Sequence, residues 1–454
     1  MIRKLLIANR GEIAVRIIRA CREMGIATVA VYSEADEESL HTQLADEAIC
    51  IGPGPSAQSY LNMEQIISAT MVSGADAIHP GFGFLSENAR FAELCEKCGI
   101  TFVGPPSKVI RMLGNKKIAR STMIAAGVPV VPGSEGDVED IETGLKEAER
   151  IGYPVIIKAA LGGGGKGMRV ANTPEEFPEA MQPPEKSLRS LFGDGTMYIE
   201  HFVVNPRHIE FQILADSFGN VIHLGERDCS IQRNHQKMIE ESPSAAVSPE
   251  LREKMGHAAV TAAKAAGYVN AGTIEFLLEP DGKFWFMEMN TRIQVEHPVT
   301  EWVTGIDLVK EQLKIASGMP LEIAQEDVRI QGHAIECRIN AENPQKNFRP
   351  SPGTIQGAHF PGGNGIRVDT CVYNGCKIPP YYDSMLAKLI VHAGNRKEAI
   401  AKMQSALGEV IIDGIDTNID YQYEILKDED YQSGNFDTGF LASHIIAGVK
   451  INEN

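Results

Sequence analysis

The stretch TIEFLLEPDGKFWFMEMNTRIQVEHP, residues 273–298, decides how this chain reads. Two β-rich runs flank Asp281-Gly282, a strong two-residue turn signal, so residues 273–290 are expected to form a hairpin. With that turn, Glu275 stands directly opposite Glu288. Opposed residues in a hairpin have Cβ atoms about 4.5–5.5 Å apart. Two bare carboxylates so close repel unless one is protonated or a cation lies between them. Asn290 follows Glu288 by two residues and shares its face. Two carboxylates and an amide oxygen suit Mg2+ or Mn2+, hard ions that prefer oxygen. The competing reading is a surface hairpin with its acids in solvent. Phe276, Leu277, Leu278, Trp285, Phe286 and Met287 make both faces largely apolar and weigh against it.

Beyond the hairpin, Asn290, Arg292, Gln294 and Glu296 continue at period two before His297-Pro298. An extended strand would line them up as one polar ribbon. A cation beside a metal site can hold an anion, and the terminal carboxylate can serve as a general base. An ordinary solvated edge fits the same pattern.

Upstream, Gly162-Gly163-Gly164-Gly165-Lys166-Gly167 lies between two strand patterns, with Lys158 just before it. Such a loop can bend its amides around phosphate oxygens. A dinucleotide fingerprint needs a helix next, and Met168-Arg169-Val170 reads as strand; a Walker A loop needs Ser or Thr after Lys166. A flap over phosphates and a merely flexible hairpin both remain. Lys116 and Lys237 are unremarkable alone. Arg338 shares a face with Glu336 and Asn340, so a buried structural pair is its simpler reading, and Cys229 reads as a packed thiol.

Residues 454 in number predict about three domains. The first part alternates strands, at residues 4–8, 28–32, 48–51, 75–79 and 101–103, with helical patterns, which implies a parallel sheet covered on both faces. Helices are expected at 106–113 and 115–126, then a proline-punctuated linker. A glycine-loaded unit of strands at 154–159, 168–170 and 197–201 follows; over 174–191 either a helix breaks at Pro183-Pro184 or the segment is a loop. Residues 208–214 alternate polar and apolar, as a half-buried antiparallel strand does. A helix over 249–266 precedes the hairpin, and a mixed region with a helix around 396–407 closes the chain. The fold class is therefore α/β and α+β.

The 43 Lys+Arg against 60 Asp+Glu give a net charge of −17, which argues against a nucleic-acid or anionic-membrane surface. No apolar run approaches the roughly 18 residues that span a bilayer. The apolar start ends at Asn9-Arg10, too short for a secretion signal. Eight cysteines in so long a chain are not a disulfide framework, and Cys95 and Cys98 read as inert thiols on one helix face. A reducing, cytoplasmic setting is expected.

Several motifs together are specific. Ile7-Ala8-Asn9-Arg10-Gly11-Glu12-Ile13-Ala14 and His79-Pro80-Gly81-Phe82-Gly83-Phe84-Leu85-Ser86-Glu87-Asn88 come first. Lys158 with its glycine loop follows, then Glu226-Arg227-Asp228-Cys229-Ser230-Ile231-Gln232-Arg233 with His235-Gln236-Lys237. Residues 288–298 and Pro379-Pro380-Tyr381-Tyr382-Asp383-Ser384-Met385 complete the set. In this order, over nearly the whole chain, they resemble biotin carboxylase, the ATP-grasp subunit of biotin-dependent carboxylases such as bacterial acetyl-CoA carboxylase.

The resemblance implies an N-terminal α/β domain (1–114), a central ATP-grasp domain (115–330) with a mobile lid (about 131–204), and a C-terminal mixed domain (331–446). By similarity, Lys116, Lys158, Gly164, Gly165 and His208 contact ATP phosphates or ribose. Glu200, His201, Phe202 and Val203 contact adenine, largely through backbone groups, and His235 lines the nucleotide site. Glu275, Glu288 and Asn290 hold Mg2+ or Mn2+. Lys237, Arg292, Gln294 and Val295 hold bicarbonate, Glu296 deprotonates it, and Arg338 stabilises the biotin enolate. The implied reaction is ATP- and bicarbonate-dependent carboxylation of biotin through carboxyphosphate, the first half-reaction of acetyl-CoA carboxylase in fatty acid synthesis. A Met-Lys-Met biotinyl motif is absent, so a biotin carboxyl carrier protein and carboxyltransferase subunits are expected as separate chains. The helix bearing Arg16, Arg19 and Glu23 resembles one that forms a homodimer. His201 stands where relatives often carry lysine.

Overall fold

The computed structural model describes residues 1–134, 136, 138, 140–159, 169–181 and 197–451. Contacts divide these into two units: Met1–Val128, Arg207–Phe276 and Glu288–Asn454 form one, and Pro129–Pro206 with Leu277–Met287 the other.

The first unit opens with β1 (Lys4–Ile7), β2 (Ala27–Tyr32), β3 (Glu47–Cys50), β4 (Ala77–His79) and β5 (Thr101–Phe102), in the order β3-β2-β1-β4-β5. All its pairings are parallel. Leu5 and Ile7 of β1 join one core cluster, and Leu6 joins another. Neighbouring side chains of a strand point to opposite faces, so this sheet is covered on both, as its continuous apolar runs predict.

The second sheet has eight strands. β9 (Arg207–Ala215), β10 (Val221–Arg233), β11 (Gln236–Ser242), β12 (Asn270–Leu278), β13 (Phe284–Asn290) and β14 (His333–Asn340) take the order β13-β12-β9-β10-β11-β14, followed by the strands Met385–Ala393 and Ile366–Thr370. The pairings β9–β10, β10–β11 and β11–β14 are antiparallel. Through β11–β14 the sheet crosses the expected boundary near residue 330 without a break.

Three readings need correction. β9 is buried along both faces except at Arg207, so the alternation of residues 208–214 marks polar groups turned inward and not a solvated face. The turn after β12 holds three residues, Pro280, Asp281 and Gly282: the Glu279 amide donates to the Lys283 carbonyl at 2.8 Å, and Gly282 takes φ +87°. Pairing therefore starts one residue away from the register of a two-residue turn. Met287 and Glu288 are then both exposed between buried Phe286 and Met289, which breaks the alternation. Finally, β13 ends at Asn290. Residues 291–296 form a loop, and Glu296 stands at the N-cap position of the helix His297–Thr304 without a side-chain capping bond.

In the other unit, β7 (Arg169–Ala171), β6 (Val155–Ala159) and β8 (Met197–His201) make an antiparallel sheet over a small core that includes Phe177 and Ile199. A helix covers Phe177–Ala180; Pro183 and Pro184 lie outside the described residues. Among the described residues no helix is long and apolar enough to cross a membrane. All eight cysteines are free, with Cys95 buried and Cys98 exposed.

Candidate active site

The first unit's large sheet gathers ionisable side chains from β9, β10, β11, β12 and β14. Lys237 on β11 is their centre: its Nζ donates to Glu210 Oε2 at 2.6 Å, Glu296 Oε1 at 2.7 Å and Glu275 Oε1 at 3.0 Å. Burial alone would discharge the lysine, but Glu210, Glu275 and Glu296 hold its pKa well above the ordinary lysine value. Register places it there. The tight turn Asn234-His235 sets Arg233 opposite Gln236 and Gln232 opposite Lys237, and the register shifts only beyond, between Gln232 and Ile231.

Glu296 bridges two cations. One oxygen meets Lys237, and the other accepts from Arg338 Nη2 at 2.8 Å. Burial would raise this carboxyl; Lys237, Arg338 and Arg227 reverse that and hold it well below its usual range. Arg338, on β14, also donates from Nε to Glu240 Oε1 at 2.5 Å. Burial lifts Glu240 to about 7, because Arg338 offsets only part of the desolvation.

Glu275 collects donors from His208, Lys237, Asn290 and Gln294. His208 Nε2 lies 3.1 Å from Oε2, and Asn290 Nδ2 and Gln294 Nε2 lie 2.8 and 3.2 Å from Oε1. Burial raises its pKa, but Lys237 and His208 bring it below the normal range. Glu288 behaves oppositely. Desolvation, then the Glu275 charge, raises it, with Lys116 opposing. Lys116 stands exposed at the start of the helix Lys116–Ala125, which Asn115 caps by accepting from the Ile118 amide.

Although residues 291–296 are not a strand, their polar groups converge. Arg292 donates to Gln294 Oε1 at 2.8 Å, to Asn290 Oδ1 at 3.2 Å and to Glu87 Oε2 at 2.8 Å. The Val295 carbonyl accepts from Lys388 at 2.8 Å. His235 is exposed in the turn between β10 and β11, with φ +61°.

The second unit is a separate matter. There Lys158 pairs with Glu200 across β6 and β8. The amides of His201 and Phe202 already donate to the carbonyls of Pro132 and Pro154, each at 2.8 Å. These two N–H groups are therefore paired within the unit. Val203 is half-buried after β8. Gly164 and Gly165 lie outside the described residues.

Sequence reasoning missed Glu210, Arg227, Glu240 and Glu87. Arg227 is fully buried and donates to Glu210, Gln212, Thr300 and Thr273 at 2.6–3.1 Å. The period-two run His208, Glu210, Gln212 was the available signal; it reads from sequence only as a half-buried strand. Arg16 also departs from expectation. It is buried against Glu301 and Asp307 of the same chain, while Arg19, Arg22 and Glu23 of its helix face solvent.

The donor set fits a divalent cation. Desolvation and then the neighbouring Glu275 charge lift Glu288, a repulsion that a cation beside both would relieve; the Asn290 amide oxygen at present accepts from Arg292.

Three family models match in chain order. They are the biotin carboxylase N-terminal domain over residues 1–110, the carbamoyl-phosphate synthase L chain ATP-binding domain over 115–324, and the biotin carboxylase C-terminal domain over 336–443. The chain is 59% identical over 449 residues to biotin carboxylase 1 of Bacillus subtilis, covering 99% of this chain and 100% of that protein. It is 51% identical to the Hydrogenobacter thermophilus biotin carboxylase domain dimer of 2-oxoglutarate carboxylase, solved with MgADP, ADP and bicarbonate, at a TM-score of 0.87 over 98% of each chain. The biotin carboxylase subunit of a pyruvate carboxylase superposes at a TM-score of 0.91 with 52% identity, again over 98% of each chain. Matched along its length in sequence, in three successive family models and in structure, the chain belongs to the biotin carboxylase family, enzymes that carboxylate biotin.

Proposed function

We propose that this chain uses ATP and bicarbonate to carboxylate biotin presented by a separate carrier protein, through carboxyphosphate. The observation that carries the reading is the Glu296 carboxylate, shared between Lys237 at 2.7 Å and Arg338 at 2.8 Å. A base must be ionised to accept a proton, and these two cations keep it so.

Bicarbonate enters beside Arg292, Gln294 and Val295 and shares Lys237 with Glu296. Sharing weakens the lysine's hold on the carboxylate, which then takes the bicarbonate proton. The oxyanion so formed attacks the γ-phosphorus of ATP, and ADP leaves. By the family resemblance, Lys116, Lys158, Gly164, Gly165 and His208 contact the phosphates or ribose, Glu200, His201, Phe202 and Val203 contact adenine largely through backbone groups, and His235 lines the nucleotide site. Glu275, Glu288 and Asn290 would hold Mg2+ or Mn2+, which neutralises phosphate charge during transfer. Carboxyphosphate gives CO2 and phosphate; the phosphate takes the ureido proton of biotin. Arg338, cationic at any working pH, stabilises the enolate that attacks CO2.

In this reading residues 1–114, 115–330 (lid 131–204) and 331–446 are the N-terminal, ATP-grasp and C-terminal domains. A biotin carboxyl carrier protein and carboxyltransferase subunits are the partners; the reaction is the first half of acetyl-CoA carboxylase in fatty acid synthesis, and the carboxyltransferase selects the final acceptor, acetyl-CoA as against another acyl-CoA or pyruvate. Free cysteines support a cytoplasmic setting. A homodimer is supported by the relative solved as a dimer and by the exposed Arg19 and Glu23.

The test is ADP release with Mg-ATP and bicarbonate, with and without free biotin. Bicarbonate-dependent release that biotin stimulates, with labelled carboxybiotin formed, is the expected result. Release indifferent to biotin would reopen the acceptor.

A further inference from the structure

One fully buried cation of the first unit has no part in that scheme. Lys388, on the strand Met385–Ala393, donates to the Val295 carbonyl at 2.8 Å and lies 3.2 Å from Glu12 Oε2 and 3.8 Å from Asp369 Oδ2. It pairs in register with Arg338 on β14 and with Asp369 on the strand Ile366–Thr370. Buried His297 acts one residue earlier, with Nδ1 2.8 Å from the Gln294 carbonyl. A carbonyl can only accept, so Nδ1 carries the hydrogen.

Two successive carbonyls of the loop 291–296 are thus tethered by buried side chains. A peptide is planar and trans, so fixing each carbonyl also aims the next N–H, that of Val295 and that of Glu296, in the opposite direction. A buried lysine aimed at a backbone carbonyl is a costly way to add stability, because the ammonium loses its water. Holding a loop in one conformation accounts for it better.

We propose that Lys388 is a positioning residue for bicarbonate: its hold on the Val295 carbonyl fixes the segment 294–296 that presents Gln294, Val295 and the Glu296 base. The inference rests on the reading that this loop receives bicarbonate. Lys388 touches no substrate.

The test is steady-state kinetics of Lys388→Met, of Glu12→Gln, and of the double variant, in which no carboxylate at position 12 is stranded. The double variant, checked for folding by its thermal melt, should raise the KM for bicarbonate by about tenfold or more while the KM for ATP stays within about twofold. Glu12→Gln alone should leave both unchanged. Lys388→Gln keeps a donor for the carbonyl without the charge, and should restore most of the bicarbonate affinity. A folded double variant with unchanged bicarbonate KM, both KM values rising together, or Lys388→Gln as poor as Lys388→Met would each overturn the proposal. Arg292→Ala separates the two readings. If it raises the bicarbonate KM and the Lys388 variants do not, only the positioning role falls; if neither does, the loop is not the bicarbonate site.

Discussion

Two lysines are buried in the same unit and keep different company. Lys237 faces Glu210, Glu275 and Glu296 within 3.0 Å and keeps 12% of its side chain in contact with solvent. Lys388 is sealed at 0%, with the Val295 carbonyl at 2.8 Å and its acidic neighbours Glu12 and Asp369 farther off, at 3.2 and 3.8 Å. Around Lys237, Glu275 and Glu296 lie below the ordinary carboxylate range despite their burial, while burial raises Glu210. Around Lys388, burial lifts Glu12 to about 7 and holds Glu336 well above its usual value, while Arg367 and Lys388 keep Asp369 low. Each cage is thus mixed. What separates them is access: the cage that touches water can exchange an anion, and the sealed one serves as scaffold.

The comparison breaks most visibly at Glu296. Glu296→Ala should lower bicarbonate-dependent ADP release and carboxybiotin formation together, by about 10²–10⁴-fold. Preserved ATP cleavage would remove it as the base. Arg338→Ala should come next, with carboxybiotin formation reduced about 10²–10³-fold and ADP release much less. Equal losses of both would count against the enolate role. Glu288→Gln removes a ligand charge and should raise the Mg2+ needed for half-maximal activity about tenfold; a metal titration that superposes on the wild type would sink the hairpin site.

Glu12→Gln sharpens the sealed cage and should have the smallest effect. Burial lifts the folded pKa of Glu12 to about 7, above the ordinary glutamate value of 4.5, so between those values the folded chain binds more proton than the unfolded one. Stability from this group is present at low pH and lost as pH rises through that window. The Glu12→Gln protein should therefore show a flatter melting temperature from pH 5 to 8 than the wild type. Identical slopes would mean that Lys388 keeps Glu12 ionised.

The parallel sheet was legible because its strands are apolar runs separated by helical periodicity, and each of the five runs became a strand. The hairpin's carboxylates were legible for a weaker reason. The assumed two-residue turn was wrong, yet Asn290 still reaches Glu275 because the alternation breaks at Met287 and Glu288. The buried polar face of β9 was hidden, since period two cannot tell a face turned to water from one turned to a site; only the partners Arg227 and Lys237, remote in sequence, decide it. Glu296 was found, but as the end of a strand. Its actual place at a helix start rests on Pro298 in the first turn.

Asn234 and His235 both take left-handed backbone angles, φ +49° and +61°, in the tight turn joining β10 to β11. Strand side chains alternate, so closing this turn one residue out of step would rotate Lys237 to the far side of the sheet. Such a chain would keep its strand count and lose its chemistry. Two residues that touch no reacting atom thus act as a proofreader of assembly, letting the lysine reach its cage in only one way.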